Sequence, residues 1–171
     1  MIRAAVRLLA ERPDASMRDI ADASGLGRTT VYRHFPRRQD LVEAIYLEVL
    51  VEARAAVDAA LAAGGPVLDV LRALGPRLVA IGDRYRFLDT HPELRERALA
   101  GERDVDEPLA GFLRRAQAAG EVRADLPVSW MIAVLRGLTA VAMVEVGAGR
   151  VTADEAGRHV GETFAAAVAP R

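Results

Sequence analysis

The 171-residue chain contains no cysteine, no lysine and no asparagine. Without cysteine there is no disulfide framework and no thiolate chemistry. Without lysine there is no Walker-type phosphate loop, no Schiff base and no Ser-x-x-Lys nucleophile. Histidine is scarce: His34, His91 and His159 lie in separate segments, and no His-x-x-x-His or Glu-x-x-His pair exists to hold a metal. Ser16, Ser24 and Ser129 lack a Gly-x-Ser-x-Gly elbow. Asp104 and Asp106 sit in a charged stretch and read as solvated. These absences name no catalytic residue, so no enzyme, cofactor or metal site is expected.

A long apolar run free of charge is also missing. Val128 to Val146 comes nearest, but it holds Arg136 and Glu145, with Ser129 and Thr139 between. Those charges favour a buried helix over a membrane span, so no membrane partner is expected. Ile2 to Ala10 is interrupted by Arg3 and Arg7, and no small-residue cleavage site follows. A cytoplasmic location is expected.

What remains is rich in alanine and leucine and poor in aromatics, which favours helix. The net charge of −1 gives no hint of a partner. Its distribution does. Residues 1–45 hold eight arginines against six acids, and Arg28 to Arg38 holds four arginines and no acid. A local basic patch on a near-neutral chain suits specific, reversible nucleic-acid binding.

Every periodic stretch is helical, and no alternating strand run or internal repeat is present. Ile2, Val6, Leu9 and Ala10 share a face before Pro13 breaks the pattern. Ser16 with Asp19 three residues on predicts a capping box and a second helix. Gly25 supplies a left-handed turn, and a third helix ends before Pro36. A long fourth helix is expected over about Arg38 to Ala62, carrying Val42, Ile45, Val49, Ala53, Val57 and Leu61 on one stripe. Gly64-Gly65-Pro66 ends it. A helix over Val67 to Tyr85 should bend or split at Gly75-Pro76. A short helix is expected from Thr90 to Leu99, a loop over Gly101 to Asp106, and further helices over Glu107 to Ala119, Pro127 to Val146 and, capped by Thr152 and Glu155, to Val168. The expected fold is all-α with about nine helices. A three-helix head (1–46) is joined by the long fourth helix to a second helical region (47–171).

Ser16 to Arg38 carries the chemistry. Two short helices meeting at Ser24-Gly25-Leu26 form a helix-turn-helix, whose second helix enters a DNA major groove. Ile20, Ala21, Leu26, Val31 and Phe35 should face inward. Arg28, Thr29, Tyr32, Arg33 and His34 are then left pointing out, with Thr30 as a lesser candidate. Arginine grips guanine with two bonds, and threonine meets a thymine methyl or a phosphate. Tyr32 and His34 can donate to phosphates, Arg38 can reach the backbone, and Ser16 offers a hydroxyl at a helix N-terminus. A helical partner-binding protein that has lost DNA binding is the alternative, and the basic stretch 28–38 argues against it.

The run Thr30-Val31-Tyr32-Arg33-His34-Phe35-Pro36 resembles the recognition helix of the TetR family of repressors. The likeness extends to Ala4–Glu11, Met17–Leu26 and Arg38–Val42, so it covers residues 1 to about 46. It implies DNA contacts at Arg28, Thr29, Tyr32, Arg33, His34 and Arg38. Pro13-Asp14-Ala15 departs from the family's glycine-containing link, and no arm precedes the first helix.

The resemblance also implies a C-terminal region that binds a small effector and pairs two chains on a palindromic operator. Candidates for an apolar effector pocket are Leu78, Ile81, Arg84, Tyr85, Phe87, Leu88, His91, Phe112, Trp130, Met131, Val134 and Thr139, with Met143 beside them. For the homodimer face they are Val141, Ala153, Ala156, Gly157, Val160, Gly161, Phe164 and Val168, where small residues would allow close approach of four helices. Trp130 has a second possible place, at that interface. Effector binding would shift Val67–Leu88 and the fourth helix, change the spacing of the heads and alter DNA affinity.

Overall fold

The computed structural model describes residues 1–90 and 102–170, with side chains described for 1–88 and 106–170. Among these residues all regular structure is helical: α1 (Ile2–Glu11), α2 (Met17–Ser24), α3 (Arg28–His34), α4 (Arg38–Ala63), α5 (Val67–Arg72), α6 (Leu74–Arg84), a 3-10 turn (Arg86–Thr90), α7 (Glu102–Ala118), α8 (Val128–Gly147) and α9 (Ala153–Val168). The all-α expectation holds, and most boundaries fall within a residue or two of the pattern. The helix expected from Thr90 to Leu99 lies almost wholly outside the described residues.

Local chemistry sets the starts and stops. Ser16 Oγ accepts from Asp19 N–H at 3.2 Å while Asp19 accepts from Ser16 N–H at 2.8 Å, closing the expected capping box. Thr152 and Glu155 do the same at the start of α9. The Thr152 backbone N–H and hydroxyl, donating to Glu155, hold its carboxyl below the usual range. Gly25 adopts φ 68° after α2, a left-handed turn that only glycine takes without strain. Two elements differ from the sequence pattern. The Val67–Tyr85 helix divides at Ala73, two residues before Gly75-Pro76. Proline lacks the N–H that would have continued the ladder, so the break falls one turn upstream. α7 begins at Glu102, taking in much of the expected loop, with Pro108 inside it. Pro108 is the seventh residue of the helix, past the first turn, so the helix continues through it with one backbone bond forgone.

The helices enclose two cores. Ala5, Val6, Leu9, Ile20, Ala21, Val31, Leu41, Val42 and Ile45 bury the head. Leu71, Leu74, Val79, Leu109, Leu113, Met131, Leu135 and Phe164 bury the second region. α4 belongs to both, giving Leu41, Val42 and Ile45 to one end and Val57 and Ala60 to the other. α6 is shared in the same way: Leu74 and Val79 lie in the second core, and Ile81, with Tyr85 just past the helix end, in the head core. Two helices therefore run from one core into the other, which gives any displacement a mechanical route between them.

α9 packs at backbone distance on α5 and α6. A methyl group built at Gly161 would sit 2.2 Å from the Arg72 carbonyl oxygen, and one at Gly157 2.6 Å from Pro76 Cα. One at Gly75 would meet Gly157 O at 2.3 Å. These three glycines let the backbones of α9, α5 and α6 approach closely. α8 is long and apolar enough to cross a membrane by length and composition. It instead packs in the bundle on α6, α7 and α9, with Arg136 paired to Asp106 of α7 at 3.2 Å.

Candidate nucleic-acid interface

α3 is held to the head by one buried residue, Val31, and by half-buried Thr30 and Phe35. Successive helical residues turn by about 100°, so the meridian opposite Val31 falls between Thr29 and Arg33. Arg28 and Tyr32 line one flank of that meridian, and Thr30 and His34 the other. Arg28, Thr29, Arg33 and His34 are exposed, and Tyr32 is 45 % exposed. Neither Arg28 nor Arg33 makes a hydrogen bond or ion pair to another described residue. Two guanidiniums, an imidazole, a phenol and a hydroxyl thus share one face with no acid on it. Leu26, expected inside, is 38 % exposed beside this face.

Ser16 lies exposed at the start of α2, but its hydroxyl donates to Asp19 Oδ2 at 2.6 Å. That bond, with the Ser16 backbone N–H, holds the Asp19 carboxyl below its usual range. Arg38 is engaged within the chain. Its guanidinium donates to the carbonyls of Ala15 and Pro13, the latter at 2.6 Å. It therefore ties the α1–α2 link to the start of α4, because that link has no helix of its own to satisfy its carbonyls. Arg37 donates to Asp40 at 2.6 Å and keeps 74 % of its side chain exposed. The Arg37 hydrogen bond lowers the Asp40 pKa, and the pairing raises that of Arg37.

The residues expected to line an effector pocket are not brought together. Ile81, Tyr85, Phe87 and Leu88 are buried in the head core, where the 3-10 turn meets α1. Leu78, Phe112, Met131 and Val134 pack in the second core, and Met143 lies over Gly82. Thr139 donates its hydroxyl to Leu135 O at 2.9 Å, within its own helix. Trp130 is 59 % exposed on the outside of α8. His91 lies outside the described residues. Arg84 and Tyr85 do form a cluster: both donate at 2.8 Å to Glu52 of α4, and the Arg84 guanidinium stands 5.9 Å from the Tyr85 ring centre. Burial, then the bond to Glu52, pushes the Tyr85 phenol up to about 12.

Two hollows open on the surface of α9 instead. One, of about 580 Å³, is an open trough lined by Asp69, Arg72, Ala73, Pro76, Arg158, His159 and Glu162. The other, of about 150 Å³, is lined by Leu138, Val141, Ala142, Glu145, Val151, Ala156, His159, Val160 and Thr163. Neither contains a residue from the expected effector pocket.

The expected dimer face needs the largest correction. Ala156, Gly157, Val160, Gly161, Phe164 and Val168 are buried within the chain, and Ala153 is half-buried on the second core. The glycines among them serve α9's contact with α5 and α6, and of the buried ones only Ala156 and Val160 reach the surface, at the edge of the smaller hollow. Val141 alone of that group is exposed, at 61 %. It belongs to a different stripe, on α8, with Trp130, Ala133, Gly137 and Val144. The sequence signal for it was that α8 is apolar all round, more than one neighbour can cover.

Comparisons with known proteins agree with this geometry. Residues 1–45 match the model of the bacterial regulatory proteins of the tetR family. Over 132 residues, 76 % of this chain and 68 % of the relative, the sequence is 34 % identical to the HTH-type transcriptional repressor LfrR of Mycolicibacterium smegmatis. The crystal structure of LfrR in complex with proflavine is similar over 95 % of this chain and 91 % of that one, with TM-score 0.73 and 28 % identity. LfrR without a named ligand is similar over 95 % and 93 %, with TM-score 0.61 and 25 % identity. The chain belongs to the TetR family of DNA-binding transcriptional regulators.

Proposed function

We propose that this protein is a cytoplasmic repressor that binds a palindromic operator as a homodimer and releases it when a small, largely apolar effector binds. The observation that carries the DNA half is the outer face of α3: Arg28, Thr29, Tyr32, Arg33 and His34 exposed together, with both arginines unengaged. Residues 1–46 serve as the DNA-binding head and 47–171 as the sensing and pairing region. Thr29 and Arg33, on the meridian opposite Val31, meet base edges. Arg28 and Tyr32 grip phosphates along one wall of the groove, and His34 and Thr30 along the other. Ser16 contributes through the α2 N-terminus, and Arg38 acts by fixing the link that sets the angle of α1 to α2.

Pairing follows from the uncovered apolar stripe of α8 and from the reading of palindromes, which takes two heads about 34 Å apart. Support for an effector comes from LfrR, which has a crystal structure in complex with proflavine. The route from effector to head runs through α4 and α6, which serve both cores, and through the Glu52–Tyr85–Arg84 cluster that ties them. The coupling is reciprocal: effector and operator weaken each other by the same factor.

Selection of duplexes from a random pool by the purified protein tests the reading. The expected result is an inverted repeat with half-sites one helical turn apart, bound with an affinity that falls steeply as salt rises. Binding without preference for any duplex, or a flat salt response, would remove the operator from the account.

A further inference from the structure

We propose that Trp130 of each copy seats in the 150 Å³ hollow between α8 and α9 of the other, so that the two-fold axis passes near Gly137. This rests on the homodimer reading above and adds its register and its anchor. Trp130, Ala133, Gly137, Val141 and Val144 are all exposed, and none is polar. Their spacings of three, four, four and three residues read the same in both directions about Gly137. A two-fold contact requires such self-complementarity, because each patch meets its own copy reversed. It sets position 130 opposite 144 and 133 opposite 141.

The hollow and the tryptophan lie at opposite ends of this stripe. Trp130 stands in the first turn of α8, and the hollow is walled by Val141, Ala142 and Glu145 near its end, with Val160 and Thr163 of α9. Reversal by a two-fold axis brings the one to the other. Gly137 has no role inside its own chain: a methyl group built there meets nothing within 4 Å. Glycine inside a helix costs about 1 kcal/mol against alanine, so a mid-helix glycine with no neighbour calls for a reason. At the crossing point it lets two α8 helices approach closely. Glu145 stands at the rim of the hollow, each oxygen accepting from Arg150 at 2.6 Å. A carboxylate has about four acceptor sites, leaving room for the indole N–H.

The area fits a second copy. Helices of this length laid side by side present a face of roughly 30 by 20 Å. That is on the order of the ~800 Å² per partner of a stable interface, and an aromatic in a pocket is the usual anchor.

Trp130 is the one tryptophan of the chain, so its fluorescence reports this seat directly. Sedimentation velocity and iodide quenching are to be run together across a dilution series. The expected result is a dimer whose emission is shifted to the blue and quenched several-fold less than in the dilute monomer. Thr163→Phe fills the hollow from an exposed position; it should restore quenching and raise the dimer dissociation constant at least tenfold. Trp130→Ala, also an exposed change, should weaken the dimer likewise with helix content unchanged. A stable dimer whose tryptophan is quenched as freely as in the monomer overturns the seat and leaves the homodimer standing. A monomer at every concentration overturns both.

Discussion

α3 and α8 each leave one long face uncovered, and the two faces differ in kind. The α3 face is hydrogen-bonding and cationic, so water satisfies it while it waits for a partner. The α8 face holds Trp130, Val141 and Val144, each about three-fifths exposed, and water satisfies none of them. Burial of such side chains is worth about 1.5–3 kcal/mol each, a strong pull toward permanent cover. The first face suits a partner that comes and goes with salt and effector, the second a partner that stays. A third surface, the glycine face of α9, shows what neither of them is: small residues already spent against the chain's own backbone.

The largest expected effect separates inner faces from outer ones. Gly161→Leu places a side chain where a Cβ alone lies 2.2 Å from the Arg72 carbonyl. Backbone cannot yield as a flexible side chain does, so the variant should lose about 3 kcal/mol or more of stability. Thermal unfolding followed by circular dichroism measures this. Full stability with loss of the dimer would return the α9 face to the interface. On the polar side, Arg33→Ala should weaken operator binding by about 10- to 100-fold with the unfolding temperature unchanged, since a bidentate base contact is worth ~1–3 kcal/mol. Equal binding to a fluorescent operator would take Arg33 out of the contact set.

Arg38→Ala sharpens the same contrast from the other direction. Two residues on nearby helices, both arginine, are assigned opposite tasks. Loss of the Arg38 bonds to the Pro13 and Ala15 carbonyls should cost the head about 1–2 kcal/mol, seen as a lower denaturant midpoint. Any loss of DNA affinity should then track the loss of folded head. An unchanged midpoint with lost affinity would restore Arg38 as a phosphate contact.

The joint between head and second region carries a pH signature. Tyr85 titrates near 12 in the folded chain and near 10 when unfolded. A raised pKa means that the folded state favours the neutral phenol. Its contribution is fully present below pH 10 and is lost as pH rises through 12. Stability should fall across that window more in the wild type than in Tyr85→Phe. Parallel curves would show that the phenol is indifferent to folding.

The head was legible because its signals are local. Capping boxes, the Gly25 turn and the Val31–Phe35 spacing act within four residues of sequence, and each recurs in the structure. The sites beyond it were not, because they depend on which helix neighbours which. Small residues on α9 and apolar ones on α8 give the same sequence signal, a face fit for close packing. Only the fold decides that α9 turns inward onto Pro76 and Arg72 while α8 keeps its stripe outside. Tyr85, Phe87 and Leu88 read as apolar groups fit for a ligand, yet they are consumed by the head core because the 3-10 turn brings them against α1. The bonds of Arg38 were hidden for a related reason: the carbonyls that accept them lie more than 20 residues away in sequence.

The smallest expected effect returns to α3. Its N-cap, Gly27, offers no side chain to the first turn, whereas α2 and α9 begin on Ser16 and Thr152 with closed capping boxes. Gly27 has an extended backbone at φ −60°, and a Cβ there meets nothing within 4 Å. Gly27→Ser therefore adds a cap without strain or collision. Glycine is a tolerable N-cap, so the gain should be only a few tenths of a kcal/mol. Hydrogen exchange at Thr29 and Thr30 is the sensitive measurement, and it should slow in the free protein while global stability barely changes. A firmer α3 costs less to order on DNA, so the operator should bind slightly tighter. Faster exchange would show that the helix start is held by something other than its cap.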